Sequence, residues 1–124
     1  MSAITDTLDT LIALADAGLE RQRRASGQID CGAYIDAHAE LDQALNTYDR
    51  SIEVATNAYA EAVRNGNYPA AVGFADAAAD ASQAATWVAL LRTSVLRKIV
   101  RQATATAEAV AALEQLPLSD EANQ

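Results

Sequence analysis

Between positions 34 and 62 the chain sets Tyr34, His38, Leu41, Leu45, Tyr48, Ile52, Ala55, Tyr59 and Ala62 alternately four and three residues apart. Apart from the one histidine, every member is apolar or aromatic. That alternation marks an α-helix with one edge that neighbouring helices must cover. Held over four heptads, it predicts a rod of about 40 Å, which confines a chain this short to elongated helical folds. Nothing in the sequence alternates apolar and polar residues in the period of two that a half-buried strand needs.

The flanks read as helices too. Ile4, Leu8, Leu11, Ala15 and Leu19 form a stripe predicting a first helix over 3–26. Gly27 suits its C-terminal cap, and Arg21, Arg23 and Arg24 suit its last turn, where the helix dipole favours cations. Asp30 is a natural N-cap for the second helix, which is expected to stop at "NGNYP". There Asn65 and Gly66 tolerate left-handed backbone, and Pro69 fits the first turn of a third helix. That helix spans 69–116, either unbroken or divided near "SQAATW". With 30 alanines and two prolines in 124 residues, helix propensity is high throughout.

The expected fold is therefore all-α. It is an elongated antiparallel three-helix bundle, a helical hairpin plus the N-terminal helix, forming one domain over 1–116, with 117–124 as a disordered tail. A hairpin turn near Asn67 sets residue 36 opposite 98. A turn near Gln28 sets residue 21 opposite 36, so the first helix would stop level with residue 54. The hairpin tip, 55–80, would then be two helices thick.

A second architecture competes. "CGAYIDAHAELDQA" and "NGNYPAAVGFADAA" lie 34 residues apart and share Gly-x-Tyr-x-x-Ala with a further alanine seven residues on. Gly32, Tyr34, Ala37 and Ala44, and then Gly66, Tyr68, Ala71 and Ala78, resemble the second half of a tetratricopeptide repeat. That resemblance implies a stacked helix-turn-helix scaffold that grips peptides. The two architectures part at 46–51, where the seam requires unbroken helix and the repeat requires a turn.

Charge and composition narrow the function. A net charge of −8 argues against direct binding to nucleic acid, whose phosphates would be repelled. The longest apolar run, "WVALL", is far too short to span a membrane, and the N-terminus has no basic leader. One cysteine, Cys31, permits no intrachain disulfide and fits a reducing cytoplasm. His38 is the single histidine and lies on the helical seam, and no phosphate loop or Glu-x-x-His pair occurs. The expectation is a protein with no catalytic residues, no metal and no cofactor.

Three surfaces remain as candidates. Trp87, Leu90, Leu91, Val95 and Leu96 widen the apolar arc of the third helix beyond what its own chain needs, and point to a homo-oligomer. Arg21, Arg24, Arg97, Lys98 and Arg101 gather at one level as a cationic belt suited to an anionic metabolite or nucleotide. Asp36, Glu40, Asp42, Asp49 and Glu53 offer an acidic face to a basic partner. Together they suggest a non-enzymatic, self-associating interaction protein, an adaptor or an inhibitor of a basic, nucleic-acid-binding partner. A small-anion sensor and a peptide-gripping repeat are the alternatives.

Overall fold

The structure, a computed structural model, describes residues 3–116; the tail 117–124 lies outside them. Three helices follow one another: α1 (Ala3–Asp30), α2 (Tyr34–Arg64) and α3 (Tyr68–Glu114). They pack as a three-helix bundle in which α2 is flanked by both neighbours, while α1 and α3 hardly meet. Among the described residues there is no strand. α2 runs straight through 46–51, so the tetratricopeptide reading falls. α3 is one helix about 70 Å long.

The 34-residue echo has a local cause. Gly32 (φ +77°) and Gly66 (φ +71°) hold the left-handed backbone that closes a helix. Each glycine N–H donates to the carbonyl three residues back, Ile29 or Val63, at 3.0 Å. The next residue's N–H, of Ala33 or Asn67, donates to Gln28 or Ala62 at 2.8 Å. This is the Schellman closure written twice, with the following helix starting at once. Ala33 and Asn67 are the N-caps; Asn67 accepts from the Ala70 N–H, whereas Ala33 has no side-chain cap.

The first turn accordingly falls later than the sequence implied. α1 continues through Gly27 to Asp30, so Asp30 ends a helix instead of capping one, and the three arginines lie inside α1. The slip moves α1 along α2. Arg21 meets Glu40, not Asp36, and α1 reaches the hairpin tip. There Ala3, Ile4 and Thr7 line a hollow of about 190 Å³ with Ala58, Ala62 and Phe74, so the tip is three helices thick. The α2–α3 register stands as expected: Arg92 reaches Asp42, and Lys98 lies over the Tyr34 ring.

The buried line of α2 is Ala37, Leu41, Ala44, Tyr48, Ser51, Ala55 and Ala62. It shares Leu41, Tyr48, Ala55 and Ala62 with the expected seam. At alternate positions it sits one residue earlier, because a helix between two neighbours points its smallest side chains at the space between them. α1 buries Leu11, Gly18 and Ala25, seven apart. The Tyr48 ring covers Gly18 so closely that a Cβ there would stand 2.6 Å from its Cζ. The same added carbon at Gly73, on α3, would meet nothing within 4 Å.

That contrast is measurable. Gly73→Ala should stabilise the fold by up to about 1 kcal/mol through helix propensity. Gly18→Ala gains the same propensity but overpacks Tyr48, and should destabilise by about 1–2 kcal/mol net. Denaturant midpoints of the two variants check this; equal shifts would place Tyr48 elsewhere.

Candidate functional site

Where α1 and α3 fail to meet, they leave an open groove of about 540 Å³. α3 presents Ala77, Asp80, Ala81 and Ala84 to it, side chains too short to reach across. Leu8, Ile12, Ala15 and Leu19 of α1 line the other wall, with Tyr48 and Ser51 of α2 also lining it. Leu8, Ile12 and Leu19 remain 45%, 60% and 44% exposed. A contiguous exposed apolar strip on a small domain is a feature that interaction surfaces commonly carry.

Carboxylates stand near both walls of the groove, and Arg21 and Arg23 flank Gln22 at one end. Asp9 and Asp16 follow Leu8 and Ala15 along α1, while Asp76 and Asp80 lie on α3 beside Ala77 and Ala81. All four are exposed, and none is ion-paired among the described residues. Polar groups cluster at one end. There the Tyr48 hydroxyl donates to Gln22 Oε1 at 2.9 Å, and burial raises the Tyr48 pKa above its usual value of 10.

Part of the expected cationic belt is ion-paired within the chain. Arg21 Nη1 lies 3.1 Å from Glu40 Oε2 and Arg92 Nη1 lies 2.6 Å from Asp42 Oδ1; Arg23 and Arg24 both pair with Glu20. The Lys98 ammonium sits 5.5 Å from the Tyr34 ring centroid, within cation–π range. Arg97 and Arg101 are exposed and have no ion pair among the described residues. Each surface pair adds little stability.

The acidic series on α2 divides. Glu40 turns to α1 and Asp42 to α3, where it also stands 3.7 Å from His38 Nδ1; Asp36, Asp49 and Glu53 are exposed. Of the five residues expected as one face, two are thus taken by different neighbours and three stay on the surface. Of the expected interface residues, Val95 is 1% exposed and belongs to the core, and Leu91 is half-buried. Trp87 (65%), Leu90 and Leu96 face solvent. Cys31 is exposed in the first turn, and among the described residues no three His, Cys, Asp or Glu side chains gather as metal ligands.

The groove itself escaped the sequence reading, though a signal was present. α1 carries apolar residues on two lines: Ile4, Leu11, Gly18 and Ala25 toward α2, and Leu8, Ile12, Ala15 and Leu19 beside them. Treating both as one stripe hid the second. Compared with protein-family models, curated proteins and solved structures, the chain matches none.

Tyr48 supplies a pH test. The folded state holds its proton more tightly than the unfolded chain, so this contribution to stability is intact below pH 10. It is lost as pH rises from there through the raised folded-state value. Chemical denaturation at pH 9 and pH 11 should show Tyr48→Phe losing less stability over that interval than the parent chain.

Proposed function

We propose that this chain is a non-enzymatic protein–protein interaction module that holds a basic amphipathic helix in the groove between α1 and α3. The observation that carries it is one apolar groove lined by Asp80, with Asp9, Asp16 and Asp76 next in sequence to lining residues and none of the four ion-paired among the described residues. A helix laid there buries its apolar residues against Leu8, Ile12 and Leu19, while lysine or arginine on its flanks meets the rim. Fixed anionic charge speeds encounter and selects cationic partners. A module of this kind acts as an adaptor, or as an inhibitor that occupies a basic segment otherwise used to hold nucleic acid. The acidic residues still free on α2 add to the same field, and the module self-associates through α3. A sensor of a small anion would have to rely on Arg97 and Arg101, since the other belt cations are engaged.

Fluorescence anisotropy with designed helical peptides tests this. A peptide with leucines at i, i+4, i+7 and i+11 and lysine flanks should bind and weaken several-fold in 0.5 M salt, as screening of the rim requires. Ile12→Glu should reduce its affinity at least tenfold without loss of helicity. A peptide of the same leucine pattern with glutamate flanks should bind far less. Equal binding of both peptides, or indifference to Ile12→Glu, would remove the groove as the site.

A further inference from the structure

α3 outlasts the bundle: every residue from 101 to 116 is exposed. An isolated helix of about 15 residues is marginal in water, so its apolar residues matter more than their number suggests. Leu96, Val100, Ala103, Ala107 and Val110 recur at steps of four, three, four and three, the spacing of a two-helix seam. Leu96, Val100 and Val110 are 43%, 62% and 47% exposed. Four of the five, Val100, Ala103, Ala107 and Val110, read the same in both directions about Ala105, with valine outside and alanine inside; Leu96 lies outside the symmetric set. A pattern that reverses onto itself is what a two-fold contact between identical, antiparallel helices needs.

The charges point to the same pairing. Arg97 and Arg101 lie at one end of the stripe, Glu108 and Glu114 at the other, and none of the four is ion-paired among the described residues. Reversed about Ala105, Arg97 and Arg101 come within one residue of the level of Glu114 and Glu108 of the second copy, whereas parallel alignment would oppose arginine to arginine and glutamate to glutamate.

We infer that the protein self-associates by pairing the free end of α3, from Leu96 to Glu114, antiparallel with the same segment of a second copy. Val100 then faces Val110, and the small Ala103 and Ala107 let the backbones approach at the dyad. This deepens the self-association in the reading above by placing its interface beyond Trp87 and Leu90, on a part of α3 that the bundle does not use.

Light scattering after size exclusion, over a range of concentrations, should show a particle of twice the 13.1 kDa chain mass. Val100→Glu should weaken the dimer at least tenfold with unchanged thermal unfolding of the bundle, since Val100 touches no core. Spin labels on a Cys31→Ser background report orientation. Copies labelled at Ala105 should lie close together, and copies labelled at Thr93 about 36 Å apart. Short separations at both positions would mean parallel pairing and overturn the inference. So would a dimer indifferent to Val100→Glu but broken by Trp87→Glu, which would move the contact up α3, or one broken by Ile12→Glu, which would put the tail in the partner's groove. A monomer that still binds the lysine-flanked peptide loses the pairing and keeps the groove; a dimer that ignores the peptide does the reverse.

Discussion

The architecture depends on how little α2 presents to its two neighbours. Its buried line is mostly alanine, with a serine, so α1 and α3 each approach its axis closely. A third interface, between α1 and α3, would need side chains long enough to cross the remaining gap. α3 supplies them only at the end where Val88, Val95, Leu91 and Ile99 pack with Ile29 and Leu41. Toward the tip its facing residues shrink to Ala77, Ala81 and Ala84, and the bundle stays open there. Tyr48 is the exception that fixes α1 in place. Its ring occupies the space that Gly18 leaves, and its hydroxyl, bound to Gln22, sets the level at which α1 stops sliding.

Charge follows the same long axis. Seven of the nine basic residues lie in 21–24 and 92–101, and the register brings both clusters to the end that holds the first turn. Most are met there by Glu20, Glu40 and Asp42. The hairpin tip has only Arg64 for a cation, tied to Glu61 by hydrogen bonding that lowers the Glu61 pKa, and the groove runs from the middle of the bundle to the level of Gln22, beside the first cluster. A net charge of −8 is thus spread unevenly, and part of what is left unpaired among the described residues, Asp80 foremost, falls beside the exposed apolar strip.

Much of this was legible in the residues. The seam of α2, the turn at Asn67 and its register, and the all-α class follow from spacing and from Gly66 and Pro69. The first turn was misjudged because Gly27 and Asp30 look like a cap pair. A glycine inside a helix costs only about 1 kcal/mol, which the packing of Leu11, Gly18 and Ala25 outweighs. That error of one helical turn moved α1, emptied the tip and hid the groove. The repeat-like echo was sound as local chemistry, two identical helix closures, and misleading only as architecture. The acidic face on α2 looked continuous because sequence order conceals which carboxylates a neighbouring arginine will take.

The two proposed surfaces lie on different sides of α3. At 100° per residue, Leu96 is turned roughly 120° from Ala84 and roughly 160° from Asp80, so a second copy on the stripe leaves the groove open. Antiparallel pairing about Ala105 sends the two bundles to opposite ends of the shared helix pair. Each dimer would then hold two grooves far apart, and a partner with two basic helices, or an array of partners, would bind with an effective concentration set by that span. A long α3 makes sense on these terms. Among the described residues the core ends at Ile99 and 100–116 are exposed, so pairing with a second copy would give them a role that the single chain does not.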